Sequence, residues 1–283
     1  NLHIIIRNES NLWRIKDLIS KCKVHKVDLT NKKKLNKTIK SVKPKTIFHL
    51  SAYGAYAYQN ETDKIKKNIL DSTMNLLDEC CKYRFNIFIN TGSNSEYGFK
   101  KNKMNEDDIL NPNSIYAVFK AAATHYCQYI SAKMKLPIVT VRPFHVYGPY
   151  EERTRLIPVI IDNLILNKTP PLVNPDISRD LIYVEEVINL YLKIASNKVN
   201  KNDILNIGSG KQYNIKKIFN VIANELKSKI IPEWNTMDNR PWDQKIWVSD
   251  IFRIKEQYNW SQKINLRKGI YKTIKWHKEF YFK

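Results

Sequence analysis

Glycine and cysteine are scarce in this sequence of 283 residues, which contains 7 Gly and 4 Cys. The cysteines are Cys22, Cys80, Cys81 and Cys127. They show no Cys-x-x-Cys spacing, so the sequence indicates neither a disulfide framework nor a metal site, and a reducing cytoplasm is the expected environment. Long hydrophobic runs are also lacking: the stretch 157–165 is interrupted by Asp162, and no run reaches the roughly 20 residues of a membrane span. We therefore expect no membrane partner.

Negative charge is scarce as well, because 48 Lys and Arg face 27 Asp and Glu, which gives a formal net charge of +21. Such an excess is compatible with nucleic-acid binding. Most of the positive charge is lysine, however, and it is scattered along the whole chain without an arginine-rich arm, zinc-finger spacing or RNA-binding aromatic signature. We interpret the charge as a bias of composition and expect no specific nucleic-acid partner.

With 43% hydrophobic residues, the chain can bury a substantial core in one or two domains. Short apolar runs alternate with amphipathic stretches of helical length, and this alternation predicts an α/β fold with a parallel sheet. The expected strands are 3–6, 23–27, 46–50, 86–90, 137–141 and one that ends near 208. The expected helices are 12–20, 33–41, 62–83, 116–131, 157–166, 184–196, 215–227 and one from about 266.

Tyr116 and Lys120 stand four residues apart at the start of an expected helix, so they share one face about one turn apart. A lysine cation beside a phenol favours the phenolate and lowers a pKa that is ordinarily about 10. Such a phenol can exchange a proton with an alcohol or a ketone near neutral pH. Tyr-x-x-x-Lys is nevertheless a common pattern, and an ordinary exposed helical pair is the alternative interpretation.

Further motifs accompany this pair. They are His-Leu-Ser-Ala at 49–52, Asn68, Thr-Gly-Ser-Asn-Ser-Glu-Tyr-Gly at 91–98, Arg-Pro at 142–143, Val-Tyr-Gly-Pro at 146–149, Arg-Asp-Leu-Ile-Tyr-Val at 179–184 and Asn-Ile-Gly-Ser-Gly at 206–210. In this order and spacing, the sequence resembles the extended short-chain dehydrogenase/reductases of the NAD-dependent epimerase/dehydratase family, which act on nucleotide sugars. The resemblance extends from about residue 2 to the end.

The resemblance implies a Rossmann-like doubly wound parallel sheet in a dinucleotide-binding domain, residues 1–150. A smaller nucleotide-sugar-binding lobe is expected over 151–283, with some segments returning to the sheet domain. Family members begin with a strand and a Gly-x-x-Gly-x-x-Gly loop that precede the strand expected here at 3–6. This sequence has neither, so we expect that about 25 residues are missing before Asn1. Unpaired edges on the strands at 3–6 and 46–50, and weak dinucleotide binding, are the expected consequences.

The resemblance also implies residue roles. The catalytic residues would be Ser93, Tyr116 and Lys120. Ser93 would hydrogen-bond the reacting sugar oxygen, although a hydroxyl in a strand-end turn is the alternative. The cofactor-binding residues would be Arg7, Ser10, Arg14, Asp28, Leu29, Leu50, Ser51, Ala52, Asn68, Tyr116, Lys120 and Pro143. The substrate-binding residues would be Tyr53, Ser93, Asn94, His145, Arg155, Arg179 and Arg240.

Some of these assignments carry more detail. Arg179 and Arg240 match positions that bind the nucleotide diphosphate, which suits the forked donors of guanidinium; surface ion pairs are the alternative. Asn68 would pin the active-site strand, or it is a helix-surface amide. His145 stands where many relatives carry Asn.

Arg7 occupies the end of the strand whose acidic residue normally contacts the ribose 2′-hydroxyl. Because Ser10 and Arg14 follow, we expect NADP(H) as the cofactor, with NAD as the alternative, and Asp28 would contact the adenine edge. A homodimer is expected through the helices 116–131 and 62–83.

The reaction depends on the residues after Ser93. Family dehydratases carry Asp-Glu in the two next positions, where this sequence has Asn94 and Ser95. Glu96 is displaced by one position and is expected to point elsewhere. These residues disfavour 4,6-dehydration, and the NADP-type strand end at Arg7 then favours reduction of a 4-keto-6-deoxysugar nucleotide. Epimerisation is the alternative, 4,6-dehydration is less favoured, and a non-catalytic binding subunit is a further hypothesis.

Overall fold

The computed structural model describes residues 1–56, 58–197, 203–238 and 245–282. They form two compact units. The first contains Asn1–Glu96, Pro112–Val141 and residues 203–204, and the second contains Tyr97–Asn111, Arg142–Asn197 and Leu205–Lys283. The sequence predicted a division near residue 150 with some segments returning to the sheet domain. In the structure, the chain leaves the first unit after Glu96 and again after Val141.

The described strands are β1 (His3–Ile6), β2 (Lys23–Lys26), β3 (Thr46–His49), β4 (Ile87–Thr91), β5 (Ile138–Pro143), β6 (His145–Tyr147), β7 (Ser178–Tyr183), β8 (Asp203–Ile207) and β9 (Gln212–Asn214). The described α-helices are α1 (Lys32–Val42), α2 (Thr62–Lys66), α3 (Ser72–Cys81), α4 (Ile115–Met134), α5 (Leu156–Ile165), α6 (Val184–Ser196), α7 (Ile215–Leu226), α8 (Phe252–Tyr258) and α9 (Leu266–Tyr281).

A four-stranded sheet in the order β3-β4-β5-β8 has β4 in its interior. β4 pairs in parallel with β3 and β5, with Asn90 opposite both His49 and Thr140. Phe88 and Ile89 of β4 are fully buried, as expected for a nearly continuous apolar run covered on both faces. Because parallel strands end at the same edge, the segments that follow β3 and β4 come together there.

β1 and β2 form a separate parallel pair. Among the described strands, β1 pairs with β2 alone and β3 with β4 alone, so the two expected edges are present. Side chains on the β3 side are open to solvent, with Phe48 39% and Leu50 64% exposed.

The prediction of a helix at 12–20 was wrong. This segment forms turns followed by a short 3-10 helix, Ile19–Lys21, with no buried residue. Asn11 accepts a hydrogen bond from the amide of Trp13, which stabilises a turn instead. A helix of this length is marginal unless an apolar face packs on a partner, and no such burial occurs here.

The helix expected at 62–83 is interrupted. A π-helical segment, Lys67–Asp71, separates α2 from α3. The hydroxyls of Ser72 and Thr73 donate to the carbonyls of Asn68 and Ile69, and such bonds compete with regular helix geometry. π-bulges occur frequently near functional sites.

In the second unit, β7 pairs in parallel with β6 and antiparallel with β9. Its core lies among α5, α7 and α9, where Ile160, Ile218 and Ile270 are fully buried. β6, β7, β9 and α8 were not predicted from the sequence. Across the described ranges, no helix combines the length and the apolar character needed to cross a bilayer.

Candidate active site

The turn after β4 carries the first catalytic candidate. Ser93 is followed by a 3-10 helix, Asn94–Tyr97. The Ser93 hydroxyl accepts from the amide of Ser95 at 3.1 Å and lies 2.8 Å from the Ser95 hydroxyl. Ser93 retains 9% exposure, so its oxygen is held in a defined position at the carboxyl end of an interior strand.

α4 supplies the other two candidates. The Ser114 hydroxyl accepts from the amide of Ala117 and caps the helix, so Tyr116 and Lys120 follow within its first turns. Lys120 Nζ lies 5.9 Å from the centre of the Tyr116 ring and donates to the carbonyl oxygen of Thr91 at 2.7 Å. The ammonium thus connects the helix that carries Tyr116 to the end of β4, just before the turn that carries Ser93.

The electrostatics of Lys120 follow from its burial. Only 4% of the residue is exposed, and burial lowers its pKa to about 8. The negative charge of Glu96 acts in the opposite direction. His49, whose pKa burial lowers to about 3, is neutral and stands apart from proton transfer near neutral pH.

Tyr116 is half-buried against an apolar cluster of Ile65, Ile69 and Ala123. Tyr53, a substrate-binding candidate, packs on the same cluster and donates to Glu61 at 3.2 Å. The structure therefore brings Tyr53 and Tyr116 to one surface.

Asn94 adjoins Ser93, and its Oδ1 accepts from the Ser93 hydroxyl at 3.5 Å. Its Nδ2 is buried and has no hydrogen-bond partner among the described residues. A buried amide donor without a partner is costly, and a ligand oxygen beside Ser93 would satisfy it.

The cofactor-binding candidates Arg7 and Asp28 lie at the ends of β1 and β2. The Arg7 amide donates to the Ser10 hydroxyl at 3.0 Å, and Arg7 Nε is 3.3 Å from a Glu9 carboxylate oxygen. Burial raises the pKa of Asp28, but hydrogen bonds from Thr30 and the charge of Arg7 outweigh it, so the pKa lies below its usual value. Asp28 is thus ionised and near Arg7.

The remaining cofactor candidates have varied surroundings. Leu50, Ser51 and Ala52 follow β3 and are exposed. Leu29 packs partly against the core of the first unit. The Arg14 guanidinium lies 4.5 Å from the Trp13 ring centre.

Asn68 lies in the π-helical segment, where it donates to the Lys64 carbonyl at 2.8 Å and accepts from Arg7 at 3.4 Å. These partners differ from the strand contact that the sequence analysis expected for it.

The second unit holds the other candidates. Pro143 ends β5 and His145 begins β6. Trp247, which is buried, brings two candidates together: the His145 ring lies 5.8 Å from it edge-on, and the Arg179 guanidinium lies 5.7 Å from its ring centre. Arg155 Nε is 3.9 Å from Glu151. Arg240 lies outside the described residues.

Two functional features were not assigned from the sequence. One is the Thr91 carbonyl that holds Lys120. The other is Glu96, whose carboxylate accepts from the Ser93 amide at 2.7 Å. The Ser-x-x-Glu spacing of 93–96 is that of a capping box, and this signal was available in the sequence.

A nicotinamide dinucleotide fits one part of this arrangement. The buried Lys120 ammonium, Tyr116 and the exposed segment 50–52 provide donors and open backbone for its nicotinamide-ribose end. The given sequence contains no glycine-rich phosphate loop. Lys120, Tyr116 and residues 50–52 therefore explain binding of the nicotinamide-ribose end only and not of the pyrophosphate.

Comparison with known proteins gives several relatives. A dTDP-D-glucose 4,6-dehydratase from Dictyostelium discoideum is 26% identical over 223 residues, which are 74% of this chain and 49% of the relative. A UDP-glucuronate 4-epimerase from Thermodesulfobacterium geofontis is 25% identical, over 94% of this chain and 83% of the relative. The chain thus spans about half the length of the first relative.

Solved structures show the same fold. A UDP-N-acetylglucosamine 4-epimerase from Methanobrevibacter ruminantium, in complex with UDP-N-acetylmuramic acid, has a TM-score of 0.88 at 24% identity, covering 98% of this chain and 90% of that one. A UDP-glucuronic acid 4-epimerase from Bacillus cereus, in complex with UDP-glucuronic acid and NAD, has a TM-score of 0.87 at 23% identity, covering 95% and 86%.

The sequence model of one protein family matches residues 2–208 of this chain. This match includes the segments that carry Ser93, Tyr116 and Lys120. This chain belongs to the NAD dependent epimerase/dehydratase family.

Proposed function

We propose that this chain performs the oxidoreduction chemistry of an NAD(P)-dependent enzyme acting on a nucleotide sugar. Tyr116 transfers the proton, Ser93 hydrogen-bonds the reacting sugar oxygen, and Lys120 stabilises the phenolate. The observation that carries the proposal is the position of the Lys120 ammonium, 5.9 Å from the Tyr116 ring centre and bonded to Thr91. A cation so placed, in surroundings of low dielectric, favours the charged phenol.

The proposed steps need few protein groups. A bound nicotinamide would supply or accept the hydride at the sugar carbon. Ser93 holds the sugar oxygen, and Tyr116 gives it a proton during reduction or takes one during oxidation. Lys120 remains cationic beside the phenol, and the unpartnered Asn94 amide donates to an oxygen of the same sugar.

The test is the variant Tyr116→Phe. Removing the hydroxyl is expected to lower kcat by about 10² to 10⁴, while the half-buried ring keeps its packing and the melting temperature stays close to that of the parent. Tyr129→Phe is the matched control, because Tyr129 is on the same helix and 57% exposed. Equal activity of the two variants would refute the proposal. No turnover by a folded parent chain would favour the non-catalytic alternative.

The reaction we favour is reduction of a 4-keto-6-deoxysugar nucleotide. Asn94 and Ser95 replace the acidic pair of family dehydratases, and the carboxylate of Glu96 is engaged by the Ser93 amide. These two observations support reduction over 4,6-dehydration. Incubation with dTDP-, GDP- and CDP-linked 4-keto-6-deoxysugars separates the alternatives, since a reductase consumes reduced cofactor and an epimerase shows no net consumption.

Epimerisation is the second candidate. It is favoured by the similarity to a UDP-glucuronate 4-epimerase that is 25% identical over 94% of this chain. It uses the same three residues, because a transient ketone is formed and then reduced from its other face.

NADP(H) is the cofactor we propose. The ion pair of Arg7 with Glu9 is solvent-exposed, with side-chain exposures of 42% and 68%, and such pairs contribute little. A 2′-phosphate can therefore take the place of Glu9 on the guanidinium. Equal or better turnover with NADH than with NADPH would contradict this proposal, and Arg7→Gln should reduce the preference for NADPH.

Arg179 and Arg240 are proposed to bind the nucleotide diphosphate, with Arg155 as a third candidate. We also propose a cytoplasmic location, which agrees with the four cysteines being free thiols. Burial raises the pKa of Cys80 to about 12, so this thiol stays protonated and unreactive.

A homodimer is proposed through α4. Its exposed apolar residues are Ile115, Val118, Tyr129 and Met134. Placing a charge at Val118, as in Val118→Glu, should convert a dimer into a monomer in sedimentation experiments, whereas a parent chain that sediments as a monomer would contradict the proposal.

A further inference from the structure

We propose that Glu96 is a positioning residue, whose buried carboxylate fixes the turn that carries Ser93 and provides the counter-charge of the Lys120 ammonium. The catalytic meaning of this inference rests on the function proposed above. The carboxylate itself is not proposed to contact the sugar.

The first observation is geometric. Glu96 Oε1 accepts from the Ser93 amide at 2.7 Å, and the Glu96 amide lies 3.2 Å from the Ser93 carbonyl oxygen. The side chain therefore folds back beneath its own turn and closes it. The Ser93 hydroxyl must keep a fixed direction to hydrogen-bond a sugar oxygen. The bond from its amide to Glu96 limits the motion of Ser93 and so helps to keep that direction.

The second observation is the space reserved for this carboxylate. A Cβ atom on Gly92 would stand 2.4 Å from Glu96 Oε1 and 3.3 Å from the Thr124 hydroxyl. Any side chain at position 92 would thus displace the carboxylate. The glycine at position 92 thus leaves the space that the Glu96 carboxylate occupies.

The third observation is burial. Glu96 has no exposed surface, whereas a capping glutamate ordinarily lies at the protein surface. Placing a carboxylate in a buried site is costly unless it is paired and hydrogen-bonded. A glutamine would accept the same hydrogen bond, so capping by itself does not account for a carboxyl group here.

The positive charge of Lys120 explains why a carboxylate is buried at position 96. The titratable groups that face Lys120 are Glu96, Cys127 and His49, together with the Tyr116 phenol. Burial raises the pKa of the Cys127 thiol and lowers that of His49, so both are neutral near pH 7. Lys120 Nζ donates to the Thr91 carbonyl at 2.7 Å, and Glu96 accepts from the Ser93 amide two residues further along the same segment. The negative charge of Glu96 opposes the effect of burial on the pKa of Lys120.

Two substitutions separate the roles of the carboxylate. Glu96→Gln keeps an acceptor for the Ser93 amide and removes the charge. Glu96→Asp keeps the charge, but it is one methylene shorter and loses the hydrogen bond to Ser93. The matched control is Glu79→Gln, because Glu79 is a buried carboxylate of the same unit that bonds to Lys82 and Asn36.

The decisive measurement is the titration of Lys120 in the free protein. The ¹³Cε signal of lysine is followed by NMR and assigned by its loss in Lys120→Arg. In Glu96→Gln, the pKa of Lys120 should fall by about one unit, the shift expected when one nearby opposite charge is removed. In Glu96→Asp and Glu79→Gln it should stay within about 0.3 units of the parent value.

Activity provides the second readout. With Glu96→Gln, the alkaline limb of the kcat profile should move to lower pH by the same amount. With Glu96→Asp, kcat should fall about tenfold because Ser93 is less firmly positioned. The pH of the alkaline limb should stay the same as in the parent.

A Lys120 titration that is unchanged in Glu96→Gln, or that moves equally in Glu79→Gln, would overturn the inference. If Glu96→Gln does not fold, Glu96→Ala takes its place: a fall of about one unit in the Lys120 pKa supports the counter-charge role, and a value near that of the parent refutes it. The titration needs no substrate, so absence of turnover would contradict the proposed function and leave this inference to be judged by NMR.

Discussion

Lys120 Nζ donates to the Thr91 carbonyl oxygen at 2.7 Å, and this bond joins α4 to the carboxyl end of β4. The Lys120 ammonium is buried, and we expect the folded protein to be more stable with an apolar side chain at this position. The protein thus keeps a charge that weakens its fold at the point where the proposed chemistry needs a cation, and stability and activity should respond in opposite directions to its removal.

The first prediction concerns Lys120→Met. Burial lowers the pKa of Lys120 from 10.5 to about 8, so below pH 8 the folded state carries a cost that the unfolded state lacks. That cost is about 3 kcal/mol by linkage, and loss of the Thr91 bond offsets about 1 to 2 kcal/mol of the gain. We therefore expect the Met variant to be about 1 kcal/mol more stable at pH 7 and to have no measurable turnover.

The sign of its pH dependence follows. Between pH 8 and 10.5 the unfolded chain binds more protons than the folded one, so the stability of the parent rises with pH. The advantage of Lys120→Met should shrink over that range in urea titrations. Lys133→Met, on the same helix and exposed, should show no such trend. A Met variant that is less stable at pH 7 and equally so at pH 10 would contradict the prediction.

The second prediction is Gly92→Ala. Its Cβ would meet Glu96 Oε1 at 2.4 Å, and the resulting displacement should lower the free energy of unfolding by about 1 to 3 kcal/mol. Combining it with Glu96→Ala removes the obstacle. The double variant should therefore be less destabilised than the sum of the single variants, and a strictly additive result from urea unfolding would show that the two positions do not interact.

The elements that sequence could predict are those with a strong local pattern. β3, β4 and β5 are nearly continuous apolar runs, and α4 begins at a capping serine, so their bounds were found within two or three residues. β6 and β9 have three residues each, and their pairing with β7 decides that they are strands. Local pattern does not contain this information.

The site divides in the same manner. Ser93, Tyr116 and Lys120 were identified because motif and spacing are local properties. The direction of Glu96 depends on the space left by Gly92. His145 and Arg179 are each placed beside Trp247, which is distant from both in the sequence. These relationships are set by tertiary packing, which spacing in one sequence does not encode.

The third prediction tests Arg179 as a diphosphate ligand. Arg179→Lys keeps the charge but loses the forked donors and weakens the contact with Trp247. We expect KM for the nucleotide sugar to rise about tenfold with kcat within about twofold of the parent, as for lost ground-state binding. Arg253→Lys is the control, because Arg253 pairs with Asp107 at 2.7 Å. A fall in kcat at constant KM would argue against this role.

The fourth prediction concerns the contact between α5 and α9 in the second unit. Asp162 Oδ1 lies 3.1 Å from Nδ1 of His277, which is fully buried, and Asp162 Oδ2 lies 2.8 Å from Arg153. Burial raises the pKa of Asp162, but hydrogen bonds and charge from His277 and Arg153 lower it more, so it lies below the usual 3.8. The ionised carboxylate therefore stabilises the fold above that pH.

Asp162→Asn should lower the free energy of unfolding by about 2 kcal/mol at pH 7, because it leaves Arg153 and His277 without their anionic partner. A carboxyl group whose pKa is depressed in the folded state loses its stabilising effect as the pH falls through that value. The difference between parent and variant should thus narrow in urea titrations below about pH 4. Asp176→Asn, at an exposed position, should match the parent throughout, and a deficit in Asp162→Asn that is constant from pH 7 to pH 3.5 would show that the carboxylate charge is not its cause.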